Sequence, residues 1–197
     1  MTDRVVVFID YQNVHGWARR RFLGDNSDPA DGHISPIKVG EMLVARRRRL
    51  SQLADVRVYR GRPNPEHQPG AARANDRQTS DWERSSLTTV VRRNLMYPAN
   101  YPIAPASEKG IDVSIAIDMI QLALTGRMDV AILFSSDNDL LPAVELLIDR
   151  PEAHVEVAAW SQAPRLRLPD TQRPWCHYLS VSDFESVRDR FDYSGRT

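Results

Sequence analysis

The sequence has little of several features that mark common protein classes. A single cysteine, Cys176, excludes an internal disulfide and a cysteine-rich zinc site. Lysine occurs only at Lys38 and Lys109, so arginine carries almost all of the positive charge. The formal net charge of the chain is zero, so no overall field draws it to nucleic acid or to a membrane.

Long hydrophobic runs are also missing. The run from Val5 to Ile9 is too short for the apolar part of a signal peptide, and no other run approaches the length that crosses a bilayer. We therefore expect a cytoplasmic protein without a membrane partner. The 197 residues suffice for one domain with a sizeable core.

The sequence motifs of several enzyme classes are absent. The histidines never stand at the spacing of a zinc site, and no Gly-x-Gly-x-x-Gly or Walker-type Gly-Lys-Ser/Thr motif occurs. No Gly-x-Ser-x-Gly elbow is present, and the lone Cys176 lies in a proline-rich stretch. Zinc chemistry, nucleotide cofactors and Ser or Cys nucleophiles are therefore disfavoured.

The most informative stretch runs Asp129-Val-Ala-Ile-Leu-Phe-Ser-Ser-Asp-Asn-Asp-Leu-Leu141. Its apolar first half is typical of a strand that is buried on both faces of a parallel sheet. Small polar residues follow, and they favour a turn and a helix N-cap. The apolar residues then recur at helical spacing. The stretch therefore predicts a strand, a tight polar turn and a helix, with Asp137 and Asp139 at the carboxyl end of the strand.

Other patterns predict the remaining elements in chain order. Apolar runs predict strands over residues 4–10, 55–61 and 155–160, with a shorter one at 177–179. Helices are predicted after Tyr11, from Ser35-Pro36 to about residue 50, and over residues 71–93, 110–124 and 182–191. Residues 97–105 are interrupted by proline and predict a short edge strand or a loop, while 161–175 predict a surface loop.

Two apolar stripes on the helix at residues 110–124 predict that most of its surface is buried. One stripe contains Ile111, Ile115, Met119 and Leu122, and the other contains Val113, Ile117, Ile120 and Leu124.

The alternation of strands and helices predicts an α/β fold with three α/β/α layers around a mostly parallel, Rossmann-like sheet. We expect residues 1–197 to form a single domain with its core at about 4–160. A Pro/Arg-rich loop, a strand and a helix would follow over residues 161–197.

Aspartates recur where the predicted strands and helices meet. Asp10 closes the first strand, Asp112 enters the long helix, and Asp137 and Asp139 follow the strand at Val130. Each of them has the alternative role of a helix cap. In a doubly wound sheet, however, Asp10 and Asp137 reach the same edge, where crowded carboxylates need a cation such as Mg²⁺ or Mn²⁺. Such an ion activates water for attack on a phosphodiester.

Two nearby residues keep two interpretations each. Asp118 lies about 120° around the helix from Asp112, so it either approaches the same site or faces solvent or a polar partner. Asn13 either orients Asp10 or a phosphate through its amide, or forms a turn.

At these residues the chain resembles the NYN domain family, which includes the LabA-like proteins and belongs to the PIN-like nuclease superfamily. The matching segments are Val-Val-Val-Phe-Ile-Asp10-Tyr-Gln-Asn13, Lys109-Gly-Ile-Asp112-Val113 with Asp118, and Ser135-Ser-Asp137-Asn-Asp139-Leu140. They occur in the order of the family over about residues 4–160. Ser136 stands where the family motif usually has glycine.

The resemblance implies a PIN-like fold and metal-dependent hydrolysis of phosphodiester bonds, with RNA as the expected substrate. It places Asp10, Asp112, Asp137 and Asp139 as catalytic metal ligands for Mg²⁺ or Mn²⁺, with Asn13 beside them. On this basis we expect an endoribonuclease. Four alternatives stay open: RNA or DNA as substrate, endo- or exonucleolytic attack, one or two metal ions, and a homodimer or a monomer.

Basic and aromatic residues offer contacts to a nucleic acid. Lys109, Ser136, Arg19 and Arg20 are candidates for substrate binding. The run Arg46 to Arg49 either contacts phosphates or forms a solvated helix end. Bases could stack on any of three tryptophans, whose alternative role is core packing: Trp82, Trp160 and Trp175.

Two other function classes compete with the nuclease. A non-catalytic module would bind RNA or a protein partner on the same fold, but such a module gains nothing from clustered carboxylates beside phosphate. A phosphatase of the haloacid-dehalogenase type would need Asp-x-Asp at the first strand end, where this chain has Asp10-Tyr11-Gln12.

Overall fold

The computed structural model describes residues 2–24, 26–166 and 174–195. Within these ranges, the strands form one sheet in the order β3-β2-β1-β4-β5-β6, and every neighbouring pair is parallel. Their bounds are β1 Asp3–Asp10, β2 Ser51–Arg62, β3 Thr88–Asn94, β4 Val130–Phe134, β5 His154–Trp160 and β6 Trp175–Leu179. The predicted parallel sheet is confirmed.

Helices cover both faces of the sheet. Their bounds are α1 Tyr11–Ala18, α2 Pro36–Ala45, α3 Pro69–Trp82, α4 Ile111–Leu124, α5 Leu141–Ile148 and α6 Val181–Val187. Helices α1, α2, α3 and α6 contribute to the core on one face, and α4 and α5 contribute to the core on the other. The fold therefore has the three layers that the sequence predicts.

The central strands β1 and β4 explain why the sheet is buried on both sides. Alternate residues of β1, such as Val7 and Phe8, enter the two different cores, as the period of two in a strand requires. All five residues of β4 are buried. Continuous apolar runs are what a parallel strand between two helical layers needs.

The strand order reverses between β1 and β4, and this reversal positions the candidate site. After β1 the chain enters α1 on one face, whereas after β4 it enters α5 on the other face. The two connections diverge and leave a crevice at the carboxyl ends of these strands, which is where open α/β sheets bind ligands.

The boundary between α2 and β2 differs from the prediction. The helix ends at Ala45 instead of about residue 50, and the strand begins at Ser51 instead of 55. The reason is that the Arg47 side chain turns inward and donates a hydrogen bond of 2.6 Å to Ser51 Oγ. This contact fixes a tight connection in place of a further helical turn.

The predicted helix over residues 71–93 is wrong in its second half. Helix α3 ends at Trp82, and β3 forms from Thr88 to Asn94 at the edge of the sheet. Thr88, Thr89, Val90 and Val91 are β-branched, and pairing with β2 outweighs the weak helical preference of this polar stretch.

The second apolar stripe of α4 is also a wrong prediction. Val113, Ile117 and Leu124 are each more than half exposed, while the stripe with Ile115 and Met119 is fully buried. The helix packs against the sheet along one side only, so these three residues of the other stripe face solvent.

The remaining predictions concern loops and the end of the chain. Residues 97–105 form a loop, which was one of the two alternatives. Helix α6 ends at Val187, four residues before the predicted end, because Arg188 becomes extended and bridges to Ile34. Most of the predicted surface loop at 161–175 lies outside the described residues. No helix within the described ranges combines the length and the apolar character that crossing a bilayer requires.

Candidate metal centre

The neighbouring ends of β1 and β4 bring the first two acidic residues together. Ile9 pairs with Phe134, so Asp10 and Ser135 leave the sheet side by side, and both are buried. Ser135 Oγ donates a hydrogen bond of 2.8 Å to Asp10 Oδ2. It also accepts one of 3.0 Å from the backbone N–H of Asp137. A single hydroxyl therefore holds the Asp10 carboxylate and the turn that carries Asp137.

The third acid comes from the start of α4. Gly110 precedes this helix with φ of 76°, a left-handed conformation that favours glycine. Asp112 lies in the first turn that follows. Carboxylate oxygens of Asp10, Asp112 and Asp137 all lie within 4.8 Å of one another. Three residues that are far apart in sequence thus form one acidic cluster at the crevice.

The electrostatics of the cluster favour a cation. Burial raises the pKa of Asp10 to about 7; hydrogen bonds from Ser135 and Asn13 oppose this shift, and repulsion from Asp112 and Glu108 adds to it. Burial also raises the pKa of Asp112, with repulsion from Asp137 and Asp139 as further causes. Three converging carboxylates, with the pKa raised at Asp10 and at Asp112, form a donor set suited to a hard divalent cation such as Mg²⁺ or Mn²⁺.

Asn13 and Ser136 connect α1 to the turn after β4. The side-chain oxygen of Asn13 accepts hydrogen bonds from the Ser136 backbone N–H at 3.1 Å and from Ser136 Oγ at 2.8 Å. The backbone N–H of Asn13 donates to Asp10 Oδ1 at 3.3 Å. Asn13 therefore links the Asp10 carboxylate to the turn after β4, and the Ser136 side chain contributes one of the hydrogen bonds of this link.

Asp139 lies beside the cluster but outside the group of three. Its backbone N–H donates a hydrogen bond of 3.0 Å to Asp137 Oδ1, so Asp137 also caps the short 3₁₀ turn at Asn138–Leu140. The Asp139 side chain is exposed, yet it lies near enough to contribute to the raised pKa of Asp112. For Asp137, the capping role and the cluster role occur together.

Asp118 is not brought into the cluster. Its Oδ2 accepts hydrogen bonds of 2.8 Å from Arg57 Nη2 and 2.7 Å from Tyr59 Oη, on the neighbouring strand β2. Of its two interpretations, the polar partner is the one that the structure shows.

The basic candidates are placed unequally. Lys109 is exposed just before Gly110 and the start of α4. Arg19 and Arg20 lie beyond the far end of α1, about 12 Å along the helix from Asp10. Arg19 Nη2 donates a hydrogen bond of 2.5 Å to the Ser27 carbonyl, and the Arg20 guanidinium lies 4.1 Å from the centre of the Trp17 ring. Of these three residues, Lys109 is the one that lies close in sequence to a member of the acidic cluster, Asp112.

Three residues near the cluster were not identified from the sequence. Glu108 accepts a hydrogen bond from the Gly61 backbone N–H, and burial raises its pKa. Arg93 Nε donates a hydrogen bond of 2.8 Å to Ser114 Oγ, which places a cation at the start of α4.

Arg60 is the third such residue. Its guanidinium lies 4.7 Å from the centre of the Tyr11 ring, and its Nε has no hydrogen-bond partner in the described part of the chain. The only sequence signal for these three was that Glu108 adjoins the Lys-Gly-x-Asp motif.

The arginine run and the tryptophans lie elsewhere. Arg46 to Arg49 follow the end of α2 and lie at the amino ends of the strands, whereas Asp10 lies at the carboxyl end of β1. Trp82 and Trp160 are 6% and 2% exposed, so the interpretation that they stack on bases is wrong. Trp175 is 62% exposed.

Comparisons with known proteins agree with this architecture. A crystal structure of a protein of unknown function from Vibrio parahaemolyticus RIMD 2210633 is similar, with a TM-score of 0.54 and 17% sequence identity. The alignment covers 83% of this chain and 85% of that one, and at this identity it shows the fold alone. No curated protein matches the chain. The NYN domain profile matches residues 4–169, so the chain belongs to the NYN domain family of the PIN-like nuclease superfamily.

Proposed function

We propose that the protein is a ribonuclease that hydrolyses RNA phosphodiester bonds endonucleolytically with Mg²⁺ or Mn²⁺. The observation that carries the proposal is the convergence of Asp10, Asp112 and Asp137 within 4.8 Å at the crevice of the sheet. Membership of a PIN-like nuclease family supports it and implies a nucleic-acid substrate. The choice of RNA rests on the resemblance of the three sequence motifs.

In this proposal each acidic residue has a role. Asp10, Asp112 and Asp137 would hold the cation, and Asp139 would be a further ligand or would position water at the exposed side of the cluster. The bound cation would neutralise the carboxylates, polarise the phosphodiester and activate water for in-line attack.

Other side chains would orient the carboxylates or bind the substrate. Ser135 fixes the Asp10 carboxylate by donating a hydrogen bond to it. Asn13 holds the turn that carries Asp137 by accepting a hydrogen bond from Ser136. Lys109 and Arg93 present positive charge beside the start of α4, where they would contact substrate phosphates. Cytoplasmic location, homodimerisation and the single-domain organisation stay predictions.

The decisive experiment is a cleavage assay on single-stranded RNA and DNA with purified protein in Mn²⁺, Mg²⁺ or EDTA. Asp112→Asn removes one charge of the cluster, and Asp118→Asn is the matched control on the same helix. We expect RNA cleavage that needs the cation, that survives in Asp118→Asn, and that is lost in Asp112→Asn while the fold is retained. Chelator-resistant cleavage in pure protein would overturn the proposal.

A second outcome of the same assay points to the non-catalytic module. If the folded wild-type protein cuts neither RNA nor DNA with any cation, yet both it and Asp112→Asn bind RNA equally, binding alone would be the function.

A further inference from the structure

A pocket lies at the amino ends of the strands, whereas the acidic cluster lies at their carboxyl ends. Its volume is about 320 Å³, near the lower end for small-molecule sites. It is bounded by the arginines that follow α2 and by the first residues of β5 and β6, which include His154 and Trp175. The amino ends of parallel strands rarely carry function, so this combination of cations and an exposed indole needs an explanation.

The floor of the pocket is a rigid polar network. Glu156 Oε1 accepts a hydrogen bond of 3.0 Å from Arg47 Nε, and Glu156 Oε2 lies 2.7 Å from His177 Nε2. The side chains of all three residues are less than 10% exposed. Burial works to raise the pKa of Glu156, but the contacts with His177 and Arg47 outweigh it and hold that pKa below its usual range. The floor is therefore charged, paired and fixed in place.

The rim carries positive charge that has no ion-pair partner among the described residues. Arg46 is paired with Asp183, and Arg47 is paired with Asp3 and Glu156. Arg48 and Arg49 are exposed and form no ion pair with any described residue. Two guanidinium groups that have no ion pair with the described residues are suited to phosphate, which guanidinium binds through paired N–H groups.

The rim also carries an apolar surface beside these cations. Trp175 is 62% exposed, although an indole of this size is normally largely buried. Its ring lies 6.5 Å from the His177 ring in an edge-on arrangement, so the buried network supports it from below. Exposed aromatic faces next to arginines are the usual platform for nucleobases.

From this geometry we propose that the pocket binds a nucleotide, with the base against Trp175 and the phosphate on Arg48 and Arg49. His154, which is exposed at the rim, would contact the base or the ribose. The ligand is either a free nucleotide or the terminal nucleotide of an RNA strand, because both present the same base and phosphate.

The pocket is separate from the acidic cluster. Arg47 Nη1 lies 3.2 Å from Asp3 Oδ2, at the first residue of β1, whereas the cluster contains Asp10, at the last residue of the same strand. The rise per residue of a strand puts these two ends about 23 Å apart. Nucleotide binding here does not require the cation, so it is testable whether or not the protein is a nuclease.

The test is nucleotide binding in EDTA, measured by calorimetry and by tryptophan fluorescence in the Asp112→Asn background. The ligands are AMP, adenosine, inorganic phosphate and oligo(A) tetranucleotides with and without a 5′-phosphate. We expect AMP to bind saturably and quench fluorescence. Arg48→Ser/Arg49→Ser should weaken AMP binding about tenfold while adenosine is little changed. Trp175→Ala should weaken both about tenfold or more.

The control is Arg20→Ser/Arg21→Ser, which removes the same charge beside Trp17 and should leave AMP binding unchanged. Tighter binding of the 5′-phosphorylated tetranucleotide than of AMP assigns the site to an RNA end, and equal or weaker binding assigns it to a free nucleotide. Absence of saturable binding by every ligand at millimolar concentration would overturn the proposal. Equal affinities in the Asp112→Asn parent, in Arg48→Ser/Arg49→Ser and in Trp175→Ala would also overturn it.

Discussion

Ser135 Oγ donates a hydrogen bond of 2.8 Å to the Asp10 carboxylate, and both groups are almost entirely buried. This bond joins the carboxyl ends of two neighbouring strands that lie far apart in the sequence. Because it favours the ionised form, it opposes the effect of burial on the Asp10 pKa. The chain can therefore keep a carboxylate at a position where desolvation works against charge.

The first prediction concerns Ser135. Ser135→Ala leaves the Asp10 oxygen and the Asp137 N–H without this partner, so the free energy of unfolding should fall by about 1–3 kcal/mol. RNA cleavage should fall about 10- to 100-fold, as for loss of a group that orients a metal ligand. Urea denaturation and a cleavage assay measure the two effects.

The neighbouring Ser136→Gly is the matched control for this prediction. It restores the residue usual in the family and removes only the hydroxyl contact to Asn13, since the backbone contact stays. Cleavage by Ser136→Gly should stay within about threefold of wild type. Equal losses in the two variants would contradict the special role of Ser135.

The second prediction separates two aspartates of α4. Asp118→Asn weakens the contacts to Arg57 and Tyr59, so it should cost about 1–3 kcal/mol of stability and leave cleavage nearly unchanged. Asp112→Asn should do the reverse, because it relieves repulsion within the cluster while removing a cation ligand. Denaturation curves and initial rates at saturating Mn²⁺ decide this. A cleavage loss in Asp118→Asn as deep as in Asp112→Asn would place Asp118 in the metal site.

The third prediction divides the arginine run. Arg47→Met leaves buried Glu156 without one of its cationic partners and should lower the free energy of unfolding by about 3 kcal/mol. Arg48→Met at the exposed neighbour should change it by less than about 0.5 kcal/mol. Urea denaturation at neutral pH compares them. Similar small effects in both variants would show that the Arg47 network contributes no stability.

The fourth prediction is a pH dependence that originates at His33. Burial lowers the pKa of His33 to about 3, with repulsion from His15 and Arg60 as further causes. The unfolded chain takes up this proton below about 6.5, whereas the folded protein takes it up only near 3. Stability from this residue is therefore complete above about pH 6.5 and is lost as the pH falls toward 3.

The measurement is the free energy of unfolding from pH 4 to 7, for wild type and for His33→Gln. The slope against pH should be shallower in His33→Gln, because one group that binds protons in the unfolded state is gone. A wild-type slope in His33→Gln would contradict the assignment.

The sequence predicted the central sheet because β1, β4 and β5 are apolar runs that need burial on both faces. It predicted that Asp10 and Asp137 would meet because the ends of their strands reach the same edge of the sheet, and the family resemblance placed Asp112 with them. These inferences depend on local pattern and on the rules of parallel sheets, and neither needs knowledge of distant contacts.

What the sequence did not predict depends on contacts between distant segments. Strand β3 contains Arg92, Arg93 and Asn94 and has no apolar alternation, so only pairing with β2 reveals it. Glu108 reaches the site because the backbone at Gly61 passes close enough to bond its carboxylate. On α4, periodicity shows two apolar stripes but not which one meets the sheet.

The position of β6 has a consequence for how the protein could be divided. The family match ends at residue 169, yet β6 pairs with β5, and Phe184 of α6 packs against Trp160 and Phe22. A fragment that ends at residue 169 would leave β5 as an unprotected edge and expose two large aromatic rings to water. The segment that family comparison recognises is thus smaller than the segment that folds, and boundaries for truncation should follow the sheet.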